Sequence, residues 1–148
     1  MSTPYFNHVG RRLILIAEAS SWLGTPFRSY ARVKGVGVDC VNLAMALYQE
    51  TGFLNGLSLP YYRVGEGAHI HTSKLEEWIE KCGRFERAQS PAVGDALCIR
   101  FGDVSHHVGV VTSDTMFIHV YRRQNATENS LADSFWTEKT TAIWRPIE

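Results

Sequence analysis

Apolar positions recur at helical spacing in the first half of the chain and at alternate positions in the second. From about Val9 to Trp22, residues Val9, Leu13, Ile16, Ala17 and Ser20 share one side of a helix that Gly24-Thr25-Pro26 stops. A glycine-punctuated loop, Lys34-Gly35-Val36-Gly37-Val38, leads to Asp39-Cys40, and a second helix runs from about Cys40 to Gln49. Val41, Ala44, Met45 and Tyr48 lie on one of its faces, and Gly52 suits a left-handed stop. After an irregular stretch from Phe53 to His71, a third helix opens at Ser73, whose hydroxyl and Glu76 make a capping box. Leu75, Trp78, Ile79 and Cys82 define its apolar face, and Gly83 ends it. From there the period is two, with strands expected at Ala96 to Phe101, His107 to Thr112, Met116 to Arg122 and Thr141 to Ile147. Helices followed by short, tightly connected strands predict an α+β fold in which N-terminal helices pack on an antiparallel β-sheet.

No repeat, low-complexity tract or linker interrupts the 148 residues, so a single domain is expected over 1–148. Fifteen basic and fifteen acidic side chains cancel. A nucleic-acid binder or a polybasic membrane anchor carries a basic surplus, so neither class of partner is expected. Arg11-Arg12 precede the apolar run Leu13 to Ala17, which stops at Glu18. That run is short of the ~7–15 residues of a signal core and of the roughly 20 of a membrane span, so a folded helix is expected, with no signal peptide and no span. Three cysteines leave at least one thiol unpaired within a chain, and nothing requires an oxidising compartment.

Cys40 is the first candidate for chemistry. A thiol at a helix N-terminus, behind a capping Asp39, faces unpaired N–H groups and the positive end of the helix dipole. Both favour thiolate, and the same N–H groups can receive an oxyanion, while the Asp39 carboxylate disfavours thiolate and a cationic His107 would have to offset it. His107 and His119 come next. Strand alternation puts His107, Gly109 and Val111 on one face, with His106 pointing away. If the turn after this strand holds an odd number of residues, such as Thr112 to Asp114, His107 pairs directly with His119. Gly109 then leaves room beside the pair. A base with a second polar group to set its tautomer is the logic of a catalytic triad, and a Cys/His pair between helix and sheet is that of papain-like enzymes. Cys82 and Cys98 read as packing residues. His69 and His71, with Cys82 or His106, are too few paired ligands for an expected zinc site, so no metal or other cofactor is implied. Arg11-Arg12 and Arg122-Arg123 read as solvated charges.

Trp22-Leu23-Gly24-Thr25-Pro26-Phe27, Gly37-Val38-Asp39-Cys40, Gly94-Asp95, His107-Val108-Gly109-Val110 and Phe117-Ile118-His119 occur in an order that resembles the NlpC-type family of papain-like cysteine peptidases. Arg28 and the closing Trp144-Arg145-Pro146 resemble its phage-associated branch. The resemblance implies a cell-wall hydrolase that cuts peptidoglycan stem peptides after D-glutamate. Cys40 would be the nucleophile, His107 the general base and acid, and His119 the polar residue orienting His107. It also implies that Asp39 meets the free amine of the stem peptide, that a phage tail or particle protein is a partner, and that the chain is cytoplasmic when made and then virion-associated or released to act on the cell wall. The family usually follows its Asp-Cys with Ser-Gly, where this chain has Val41-Asn42, and has Tyr where this chain has Phe27. Tyr30 could supply the missing hydroxyl if its loop bends back. These departures motivate a rival expectation, a non-catalytic binding or structural module of a phage tail or particle.

Overall fold

The structure is a computed structural model that describes residues 2–58, 74–101 and 104–148, with backbone alone at 101 and 104–106. Helix α1 spans Val9–Trp22, α2 Cys40–Glu50, α3 Lys74–Cys82 and α4 Ser134–Thr137. A ribbon of β1 (Arg32–Val33) and β2 (Gly37–Val38) precedes α2. Strands β3 (Phe85–Ala88), β4 (Ala96–Phe101), β5 (Val104–Val111), β6 (Met116–His119), β7 (Thr127–Ser130) and β8 (Thr140–Pro146) form a six-stranded sheet. Its order is β3-β8-β4-β5-β6-β7, with antiparallel neighbours throughout. The molecule is therefore α+β, helices on an antiparallel sheet, as the periodicity predicts. The elements that periodicity misses include the two sheet edges, β3 and β7, whose Phe-Glu-Arg-Ala and Thr-Glu-Asn-Ser lack a continuous apolar alternation. Edge strands have solvent on one side and need no such pattern.

Alternation along the strands splits the interior in two. Ala96, Cys98, Val108, Val110, Ile118, Val120, Ala142 and Trp144 face the helices and join Leu43, Leu47, Tyr48 and Phe53 in the larger core. Helix α2 is apolar nearly all round and is buried accordingly. Tyr48, Phe53 and Phe85 meet edge-on, with centroids 5.3 to 5.8 Å apart. The other sheet face carries Leu97, Ile99, Val111 and Phe117 under Trp136 of α4. Each large apolar side chain so buried contributes ~1.5–3 kcal/mol.

Helix α1 departs from expectation. Leu15, Ala19 and Trp22 face the core, while Val9 (60% exposed), Leu13 (63%) and Ile16 look outward, together with Ala17 and Ser20. Polar tethers decide the rotation between its two apolar stripes. Arg11 donates to the Tyr5 carbonyl and pairs with Glu148, Arg12 donates to the Phe6 and Asn7 carbonyls, and the Trp22 indole N–H donates to Glu18. The arginine pair expected to be solvated instead fastens the N-terminal segment to the helix. Ser73, expected to cap α3, and His69 and His71 lie outside the described residues.

Gly94-Asp95 and Trp144-Arg145-Pro146 are joined directly. Arg145 donates through Nε and a terminal nitrogen to the two carboxylate oxygens of buried Asp95, at 3.0 and 2.8 Å. Gly94 has φ +94°, and a Cβ there would come within 2.2 Å of the Phe6 ring. Only glycine meets both demands.

A candidate active site at the start of α2

The segment that brings Cys40 into place is stitched on two sides. Val38 donates to the Pro26 carbonyl and Arg28 to that of Val38, while Phe27 donates to Gln124 and Gly24 to Ala126. Gly37 lies so close to Arg28 that a Cβ would be 2.7 Å from the arginine's own Cβ, which is why glycine stands there. Asp39 then starts α2. One carboxylate oxygen accepts from the Asn42 N–H at 2.8 Å, the N-cap bond, and the other from the Tyr30 N–H at 2.7 Å. Asp39 is completely buried, and both of its carboxylate oxygens accept backbone N–H bonds. Tyr30 holds a left-handed backbone (φ 63°) and is 53% exposed beside that cap. Phe27 is half-buried and packs on the larger core.

The Cys40 thiol is buried at the head of α2. Burial pushes its pKa up to about 12, and the charge of Asp39 pushes the same way. The backbone N–H groups of Val108, Val41 and Cys40 itself pull it down, but by less. The helix N-terminus was expected to favour thiolate, and its amides do act in that direction. Desolvation outweighs them, and the resting thiol is neutral at pH 7. The amide of Val108 also fixes where the sulfur lies, against β5 one residue beyond His107.

His107 and His119 are both buried, and His107 Nε2 lies 2.9 Å from His119 Nδ1. The register that achieves this differs from the expected one. Val110 pairs with Ile118 and Val111 with Phe117, which carried along the strands puts Gly109 opposite His119 and leaves His107 on the diagonal. The turn is centred on Asp114 rather than Ser113, so parity holds and the histidines still share a face. A diagonal of ~7–8 Å between Cβ atoms is within reach of two imidazoles. Gly109 does not leave a vacant space, because the Phe117 ring fills it; a Cβ at 109 would come within 2.8 Å of that ring.

Aromatic rings enclose the pair. Trp136 meets His119 edge-on at 4.5 Å, Tyr121 stacks on it at 5.5 Å, and Phe117 lies at 4.8 Å. Burial lowers the His119 pKa below its ordinary value, against the opposing bond to Asn129. That bond, His119 Nε2 to Asn129 Oδ1 at 2.7 Å, comes from β7. Asn129, Tyr121 and Trp136 are the neighbours that sequence reading missed. A polar residue in a polar edge strand carries no signal of its partner. Cys98 is buried, Cys82 is half-buried with its thiol donating to the Ile79 carbonyl at 3.2 Å, and neither is in a disulfide. Among the described residues no cluster of three or more His, Cys, Asp or Glu is placed to hold a metal, and no helix is long and apolar enough to cross a membrane.

No curated protein matches this chain by sequence. Solved structures that share its fold include two of the same family. One is a Staphylococcus aureus NLP/P60-family protein described as similar to lipoprotein, at 16% identity and TM-score 0.67. The alignment covers 99% of this chain but 44% of that one, so this chain spans less than half the length of that relative. The other is the NlpC/p60 domain of the peptidoglycan hydrolase SagA, at 16% identity and TM-score 0.56, covering 91% of this chain and 97% of that one. A family model described as NlpC/P60 matches residues 24–145, from the glycine that ends α1 to the arginine that holds Asp95. With that match over most of its length, the chain belongs to the NlpC/P60 family.

Proposed function

We propose that this protein is a cysteine peptidase that hydrolyses an amide bond in peptidoglycan stem peptides. The observation that carries the reading is the 2.9 Å contact between His107 and His119, on the strand whose next amide, Val108, faces the Cys40 thiol. Family membership supports the substrate class.

Burial raises the thiol pKa, which favours a general-base route over one that starts from a thiolate–imidazolium pair. His107 takes the Cys40 proton as sulfur attacks the carbonyl carbon. The N–H groups of Cys40 and Val41 at the head of α2 receive the charge that develops on the carbonyl oxygen. His107 then returns the proton to the leaving amine, the C–N bond breaks, and water activated by His107 hydrolyses the thioester. His119 stays neutral and orients His107.

The test is incubation of the purified chain with peptidoglycan stem peptides, read by mass spectrometry. Wild type is expected to yield cleaved peptide and Cys40→Ala none. Full cleavage by Cys40→Ala would remove Cys40 as nucleophile. Saturable binding by wild type with no product would replace the enzyme reading by that of a binding module.

A further inference from the structure

We propose that Asn129 is a positioning residue that sets the proton positions of both histidines, extending the relay to a third strand. His107 on β5, His119 at the end of β6 and Asn129 on β7 share one face of the sheet. Asn129 stands opposite Phe117, and His119 opposite Thr127, so Asn129 is diagonal to His119 just as His107 is. The contacts continue along that diagonal, 2.9 Å from His107 Nε2 to His119 Nδ1 and 2.7 Å from His119 Nε2 to Asn129 Oδ1.

The consequence follows from donors and acceptors. An amide oxygen only accepts, so His119 donates through Nε2–H. A neutral imidazole carries one N–H, which leaves His119 Nδ1 with a lone pair. That lone pair accepts from His107 Nε2–H, and neutral His107 then has its own lone pair on Nδ1, the nitrogen left to take the thiol proton. Reversing the first bond reverses every later one. With Nδ1–H on His119, His107 would be held as the Nδ1–H tautomer and could not act as base at that nitrogen. Trp136, Tyr121 and Phe117 enclose His119 and favour its neutral form, the only one for which this argument holds. The titratable groups against it among the described residues are His107 from β5 and Tyr121 after β6; β7 brings Asn129 and α4 brings Trp136.

This inference rests on the catalytic reading for its kinetic consequence, but its primary test does not need turnover. In wild-type protein labelled with ¹⁵N-histidine, NMR near neutral pH is expected to show His119 protonated at Nε2 and bare at Nδ1. A proton on Nδ1 would overturn the proposal, whatever the variants do. In Asn129→Ala the His119 signals are expected to shift toward a mixture of tautomers. Its kcat should fall about 10- to 100-fold, the loss seen when partners that orient metal-bound imidazoles are removed, with KM little changed. Asn129→Asp keeps an acceptor for Nε2–H but favours a second proton on Nδ1, so the acid limb of its kcat profile should move to higher pH. A wild-type tautomer and wild-type kcat in Asn129→Ala would also overturn the proposal. The expected tautomer in a protein that cuts no stem peptide would instead sink the peptidase reading and leave the relay standing.

Discussion

The two faces of the sheet are both buried and do different work. Toward α2, the interior is aliphatic and aromatic, and the hydroxyl of Tyr48 finds the Gly94 carbonyl at 2.9 Å. Beneath α4, a smaller interior built on Leu97, Ile99, Val111, Phe117 and Trp136 lies beside two histidines held in a chain of hydrogen bonds. The first face stabilises the fold through apolar area. The second spends part of its volume on titratable rings and keeps their orientation through the bonds at His107 Nε2 and at both nitrogens of His119. Buried polar networks of this kind are costly when incomplete, which is why the relay ends on an amide and not in a void. The lesson is that the larger core and the histidine pair sit on opposite sides of the same strands, separated by one residue of alternation, while Cys40 at the head of α2 belongs to the larger core.

The sharpest way to break that division is His107→Gln, which keeps a planar polar side chain but removes the base. On the peptidase reading kcat should fall about 10²- to 10⁴-fold, the range of general acid–base catalysis, while thermal unfolding changes by only a few degrees. A large fall in melting temperature with kcat of the folded fraction intact would reverse the roles of the two faces. The converse change is Leu47→Ala in the α2 core, where the side chain is fully buried. It should cost about 2–5 kcal/mol in denaturant unfolding and leave kcat of the folded molecules unchanged.

A smaller effect is expected at the junction of the two, Asp39→Asn. Asparagine caps helices about as well as aspartate, so the expected loss is about 1 kcal/mol, from the bond to the Tyr30 N–H. Removing the Asp39 charge lowers the Cys40 pKa, so the alkylation rate of Cys40 should begin to rise at lower pH than in wild type. In wild type the rate should keep climbing above pH 9, as a thiol raised to about 12 requires. Stability has the opposite dependence. The folded state keeps the thiol proton that the unfolded chain loses near pH 9, so stability falls as pH rises from about 9 toward about 12. Cys40→Ala should lack that alkaline loss, which amounts to about 1.4 kcal/mol per pH unit across the window. An alkylation curve with a plateau below neutrality would replace the neutral thiol with a preformed ion pair.

Much of this was legible in the chain because local physics wrote it there. The period of 3.6 sets α1 and α2 at the expected residues, and alternation sets β4 at Ala96–Phe101. The helix start at Asp39-Cys40 follows from a short carboxylate that satisfies an unpaired N–H. That His107 and His119 share a face follows from strand parity once the turn between them holds an odd number of residues. Other features depended on partners distant in sequence. Helix α1 offers two apolar stripes, and the contacts of Arg11, Arg12 and Trp22 decide which of them enters the core. The histidine register shifts by two residues because the turn centres on Asp114, a choice that parity cannot see. The state of Cys40 reverses the local expectation, since dipole and amides act within one helix turn while desolvation is imposed by everything packed around it. Asn129 is the plainest case: a polar residue in an edge strand becomes the end of a relay only when three strands lie side by side.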